Sequence, residues 1–302
     1  MNFNELKEQD FDLIRKEYKE KDSKKLAQES LSEYFDVSER TIRGWAKKIG
    51  VGVMLNNIID GSKIMIYDIE TSRAEFKLFW TGKQYVPVSA MTKEPQIISI
   101  SWNWLGEEKI YDLTWDKYNS DKEMLIKFLE HYNQADMVIG QNNDRFDNRW
   151  VNARAAKHNL DVNVMIRSFD IMKEAKNKFR IPSYSMKFMC EYFGVEQKLS
   201  HEGIKMWDMI ESGTPEQRKE FLEKMVAYNR GDIISTGALY YRLRKYFGHK
   251  SHLGVQKGEP KWSCPDTGSH NVKLYKTTVT PAGTVQRIMI SNETELKYRI
   301  TN

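Results

Sequence analysis

Three short stretches of this 302-residue chain carry side chains that could do chemistry together. The first is Asp68-Ile69-Glu70, which ends the apolar run Ile64-Met65-Ile66-Tyr67. In a strand, residues i and i+2 project from one face, so both carboxylates there could share a metal ion. Charge on an otherwise apolar strand is costly without a partner. The second stretch is Asn142-Asn143-Asp144-Arg145-Phe146-Asp147, directly after the apolar run Met137-Val138-Ile139-Gly140. Crevices beyond strand ends are the usual sites of α/β sheets. The third is Tyr228-Asn229-Arg230-Gly231-Asp232. In a helix, Tyr228 and Asp232 would stand at i and i+4 on one face. Taken singly, each has a bland reading: a surface pair, an Asp144 or Asp147 at a helix entry, and a core tyrosine near a solvated acid. Taken together they offer four carboxylates and a phenol.

Positioning them requires an α/β domain over residues 63–250. Strand character is expected at 63–69, 75–81, 96–105 and 109–115, with a hairpin tip at Gly106-Glu107-Glu108. A helix near 121–133, a buried strand at 137–141, a helix at 146–158 and a short strand at 167–171 follow. The rest, to about Phe247, reads as helical, and Pro215 suits the start of a long helix. A meander followed by β-α-β-α alternation argues for a mixed sheet with helices packed on it.

At this point the sequence resembles the DEDD exonucleases, also called DnaQ-like, of the ribonuclease H-like superfamily. Asp68 and Glu70 match the first motif, D-x-E. Asn142, Phe146 and Asp147 match N-x-x-x-F-D, and Tyr228 and Asp232 match Y-x-x-x-D. Ala227 stands where the histidine branch has His, so the tyrosine branch is the match. The likeness covers roughly residues 63–247 and leans toward the proofreading domains of family B DNA polymerases. It implies a mixed five-stranded sheet flanked by helices and a two-metal mechanism. In that mechanism Asp68 bridges two ions, Glu70 and Asp232 complete the first, and Asp147 holds the second through waters. Tyr228 positions the attacking water, while Asn142 and Phe146 shape the site or touch the substrate end. Hard oxygen ligands point to Mg²⁺ or Mn²⁺. Ser168-Phe169-Asp170 and Lys198 also suit the helical half of this family, without a catalytic part.

The flanks read as separate modules, residues 1–62 and 251–302. Helical stripes are expected at 4–21, 24–35 and 39–49, then a linker at 56–62. The piece from Asp36 to Trp45 resembles a helix-turn-helix, with Ser38 capping the second helix. It would present Arg40, Arg43, Lys47 and Lys48 to DNA. Asp36 replaces the usual Gly of the turn, and Asp tolerates a left-handed backbone better than most residues. The tail is β-rich, and Trp262 to Ser269 resembles a zinc-ribbon knuckle. Of the four ligand positions, Thr267, Ser291 and Thr294 have replaced Cys, leaving Cys264, so no structural zinc is expected. Residues 242–302 hold 11 basic and four acidic side chains, a possible grip on phosphates through Lys257, Lys261, Lys273, Lys276, Arg287, Lys297 and Arg299.

No apolar run approaches the roughly 20 residues of a membrane helix, and the N-terminus lacks a secretory pattern. Two cysteines make no disulfide framework, so a cytoplasmic setting is expected. The reading is a 3′→5′ exonuclease on nucleic acid, with DNA favoured over RNA and replication or repair proteins as partners. The alternatives are a ribonuclease or endonuclease on the same scaffold, or a DNA-binding regulator with an idle nuclease fold.

Overall fold

Between Lys24 and Lys48 the sequence supplies two short helices and, between them, one residue suited to a left-handed turn. The computed structural model describes residues 6–7, 9–10, 13–14, 16–17, 24–48, 63–116, 118–195, 203–248, 252–256 and 258–301. Helices α1 (Lys24–Phe35) and α2 (Glu39–Lys48) meet at Asp36, whose φ is 49°. Ser38 opens α2, its Oγ accepting from the Thr41 amide at 3.2 Å. Leu31, Phe35, Ile42 and Trp45 close a small core with Leu6 and Ile14. Arg40 is exposed, whereas the side chains of Arg43, Ala46, Lys47 and Lys48 lie outside the described residues, as do Lys198, Lys257, the expected linker and much of the first helical stripe. Residues 1–58 form one compact unit and residues 59–302 another.

In the second unit β1 (Ile64–Thr71) is central. Beyond it, β2 (Glu75–Phe76) and β3 (Met91–Lys93) pair only with each other. The main sheet is completed by β4 (Ile97–Trp104), β5 (Ile110–Thr114), β6 (Met137–Gly140) and β7 (Arg167–Asp170) in the order β5-β4-β1-β6-β7. Strand β4 runs antiparallel to β1 and β5, while β6 is parallel to β1 and β7. This is the mixed five-stranded sheet expected. The strand expected at 75–81 is a correction. Only Glu75–Phe76 is extended there, and Leu78, Phe79, Trp80 and Tyr85 are exposed. Alternating apolar residues satisfied the two-residue period of a strand, but they have no buried face to lie on.

Strand alternation divides β1 between two layers. Met65, Tyr67 and Ile69 pack with Leu125 and Phe128 of α3 (Lys122–Tyr132) and with Val151 and Ala155 of α4 (Asp147–Lys157). After β7 come α5 (Ile171–Lys178), α6 (Met186–Phe193), α7 (Ile204–Ser212) and α8 (Pro215–Leu243). The even face of β1 meets α8, where a Cβ on Gly237 would sit 3.1 Å from Ile66 Cδ1. Helix α8 begins with a capping box between Thr214 and Gln217 and has Pro215 in its first turn, as the sequence suggests.

After α9 (Leu253–Gln256), β8 (Val272–Val279), β9 (Val285–Ser291) and β10 (Lys297–Thr301) form an antiparallel sheet. The two knuckle-like turns meet, with Cys264 Sγ 3.8 Å from Thr294 Oγ1. Their hydroxyls close the turns: Thr267 Oγ1 accepts from the Ser269 amide and Ser291 Oγ from the Thr294 amide, each at 3.3 Å. An ion pair between the buried Arg244 and the partly buried Asp266 fastens this module to the end of α8. Cys190 and Cys264 are buried and free of disulfides. Among the described residues no helix is long and apolar enough to cross a membrane.

Candidate metal centre

The parallel pairing of β1 with β6 sets the site. Ile66 stands opposite Ile139, so Asp68 emerges just beyond the end of β6. Asp68 and Glu70 project toward α8, which brings Asp232. One carboxylate oxygen from each of Asp68, Glu70 and Asp232 lies within 4.8 Å of the others. Asp147, the first residue of α4, comes from the opposite layer over the sheet end. Its Oδ1 accepts from the Ile69 amide, between the two strand acids, at 3.1 Å. Tyr228, one turn before Asp232 on α8, hydrogen-bonds Asp232.

The electrostatics of this cluster are those of buried carboxyl groups crowded together. Burial, followed by Asp147, Glu70 and Asp232, holds the Asp68 carboxyl well above the usual carboxylate range. Burial and the charges of Asp232 and Asp147 push Glu70 up to about 8. Burial raises Asp147 to about 7 despite the Ile69 amide that favours its anion. The Tyr228 phenol is pushed up by burial, Asp232 and Glu70. An all-oxygen, negatively charged donor set of this kind fits a hard divalent cation, and three of its members could hold one directly.

Neighbouring acids are neutralised differently, which separates them from the cluster. Asp144 Oδ2 accepts from Lys173 Nζ and its Oδ1 from Ser168 Oγ, both at 2.6 Å. The helix-entry acids are thus told apart: Asp144 is tied down by a cation, while Asp147 faces the strand carboxylates. Asp112 on β5 shares a row of the sheet with Ser101 and Asp68, but Arg230 and Ser101 engage it.

Two residues position the acids, and the part played by Asn229 was not singled out from sequence. Asn229 is fully buried, and its Nδ2 donates to the Asp68 carbonyl and to Ser99 Oγ, each at 3.3 Å. It locks α8 to the acid-bearing end of β1. The signal was available, since Asn is a poor helix former in mid-helix. Asp170 caps α5 through the Lys173 amide and accepts from the Asn142 amide, both at 3.0 Å. It thereby shapes the loop leading to Asp147. Asn142 adopts a φ of 65°, and Phe146 is partly exposed beside Trp150.

Gly140 is needed for the same loop to fold back. A Cβ there would lie 2.7 Å from Asn143 Cβ, and Asn143 is fully buried with its Nδ2 on Ser168. Gly140→Ala is expected to cost roughly 1–3 kcal/mol by overpacking. Denaturant unfolding checks this, and isothermal titration should show weaker Mg²⁺ binding as Asp147 shifts. Unchanged stability and Mg²⁺ affinity would contradict the packing argument.

A family model described as the RNase_H superfamily matches residues 92–244. That span contains Asp147, Tyr228 and Asp232, together with β4 and β6, the strands that flank β1. Among solved structures, the family B DNA polymerase from the hyperthermophilic archaeon Pyrobaculum calidifontis is similar at 15% identity, with a TM-score of 0.46. The likeness covers 61% of this chain and 25% of that one. No curated protein matches the chain.

Proposed function

The chain belongs to the RNase_H superfamily, and on that premise we propose that it is a metal-dependent 3′→5′ exonuclease hydrolysing phosphodiester bonds in DNA. The observation that carries this reading is the convergence of Asp68, Glu70 and Asp232 at the end of β1, with Asp147 on the Ile69 amide beside them. Two divalent ions, Mg²⁺ or Mn²⁺, would be held by these four residues, supplying an activated water and stabilising the leaving 3′ oxygen. Asp68 interacts with Asp147, Glu70 and Asp232 alike and would serve both ions. Tyr228 would orient the incoming water through its hydroxyl, which its raised pKa keeps protonated. Asn142 and Phe146, on the loop after β6, would contact the strand end. The pair α1–α2, through Arg40, Arg43, Lys47 and Lys48, would recruit DNA in helix-turn-helix fashion. The C-terminal sheet reads as a ribbon held by hydroxyl hydrogen bonds in place of zinc.

The test is a 5′-labelled strand assay on single- and double-stranded DNA and on RNA, with Mg²⁺ or Mn²⁺. A ladder shortening from the 3′ end of DNA is the expected result. RNA-only cleavage or internal cuts would replace the reading with the ribonuclease or endonuclease alternative. No cleavage of any strand, or cleavage indifferent to Asp68→Ala, would remove it altogether.

A further inference from the structure

Past the metal centre, α8 continues toward a second concave surface. A cavity of about 430 Å³ is lined by residues 178–181 and 192–193 and by Arg242, Leu243 and Tyr246. Its aromatic side chains form a contiguous cluster. Phe179 lies 5.3 Å from Phe193 and 5.7 Å from Tyr246, and Tyr192 lies 5.1 Å from Phe193. Tyr192 and Tyr246 are more than half exposed, at 58% and 56%. Three cations surround the rings and no acid lines the cavity. Among the described residues Lys178, Arg180 and Arg242 have no carboxylate partner; Arg242 Nε donates only to the Phe193 carbonyl, at 3.3 Å.

Placement relates this cavity to the metal centre. Arg242 follows Asp232 by ten residues on α8, about 15 Å along a helix. Leu243, at the end of α8, and Tyr246, in the turn just beyond it, line the cavity. The loop after β6 is also joined to the segment leading into the cavity, since Gln141 Nε2 donates to the Tyr184 carbonyl at 2.9 Å.

We propose that this cavity is a second nucleic-acid site, taking an unpaired segment of the strand whose end is held at Asp68. Exposed rings stack on any base that is not already stacked in a duplex, and unpaired cations attract phosphates. Bases rest on Tyr192 and Tyr246, and phosphates on Lys178, Arg180 and Arg242. The separation corresponds to roughly three to five nucleotides. The inference rests on the nuclease reading for its ligand, and it adds that the substrate is single-stranded over that length.

Binding is measured on the full chain carrying Asp68→Asn, so that strands stay intact. The probes are fluorescein-labelled oligothymidylate and oligouridylate of about 20 nucleotides. Arg180→Glu with Arg242→Glu should weaken binding at least ten-fold, and lower the dependence of log K on log salt by roughly 1–2. Lys178→Glu with Arg180→Glu, which breaks no side-chain hydrogen bond among the described residues, should act alike, and Tyr246→Ala should cost roughly ten-fold. With Asp68 intact, dinucleotide hydrolysis should stay within about two-fold in all of them, because a dinucleotide cannot span the distance. Preference between the two probes shows whether the site takes DNA or RNA. Unchanged binding in both charge reversals, no binding by the parent chain, or equal loss for long strands and dinucleotides would overturn the proposal. If the intact chain cuts nothing yet the binding differences persist, the nuclease reading fails and this site stands.

Discussion

Asp68→Asn is expected to lower cleavage at saturating Mg²⁺ by at least about 10³-fold, since a metal-held charge contributes several kcal/mol in such transition states. The same substitution is expected to raise the melting temperature of the metal-free protein. Both outcomes follow from one arrangement. Asp68 has Glu70 and Asp232 oxygens within 4.8 Å and Asp147 on the next amide of its strand. Without a cation these anions repel one another, and burial deprives them of water. Glu70 at about 8 and Asp147 at about 7 sit above their ordinary values of 4.5 and 3.8. The folded protein therefore keeps protons that the unfolded chain has released, and metal-free stability falls as pH rises through that window. A divalent ion displaces those protons, so its stabilising effect should grow with pH. Thermal melts in EDTA and in Mg²⁺, from about pH 6 to about pH 9, test this. The wild type should lose stability with pH only in EDTA, and Asp68→Asn should show a shallower loss and little response to Mg²⁺. A pH-independent wild type, or a metal-free variant less stable than wild type at high pH, would refute the repulsion account.

The strand and motif acids carry local signals. β1 declares itself by an apolar run broken by two acids at strand spacing, and α8 by Thr214-Pro215 ahead of a long helical stretch. What was not readable depends on contacts far apart in sequence. The motif match picks Asp147, but the ties of Asp144 to Lys173 and Ser168, which set it apart physically, form only after β7 pairs with β6. Asn229 acquires its meaning from Ser99, 130 positions earlier. The strand expected at 75–81 failed for a related reason: period alone cannot say whether a face will be covered, and the rings of Phe79 and Tyr85 remain in solvent. The aromatic cavity draws on three separate segments, none of which is distinctive by itself.

Asp121→Ala should cause the largest loss of stability, roughly 3–5 kcal/mol, the usual cost of breaking a buried ion pair from one side. Asp121 is fully buried just before α3. Its Oδ2 accepts from Arg154 Nε at 2.6 Å and from the Ile97 amide at 3.1 Å. Its Oδ1 accepts from Arg154 at 2.9 Å, and His158 Nε2 lies 2.8 Å from it. Truncation would leave Arg154, only 5% exposed, with Glu94 at 3.1 Å as its remaining carboxylate. The melting temperature should fall by roughly 6–20 °C on that scale. Arg154 sits two turns after Asp147 on α4, so cleavage should weaken as well. Burial alone would raise the Asp121 carboxyl, but hydrogen bonds from Arg154, His158 and the Ile97 amide override it and hold the group below its ordinary value. Its contribution is therefore present above the ordinary carboxylate range and lost as pH falls through its lowered value. The gap between wild type and Asp121→Ala should be full at neutral pH and narrow in acid. Asp121→Leu combined with Arg154→Met should recover most of the loss, because no charge is then stranded. A gap that is small at neutral pH, or a double variant no better than the single one, would mean that α4 is held chiefly by Val151 and Ala155 rather than by this ion pair.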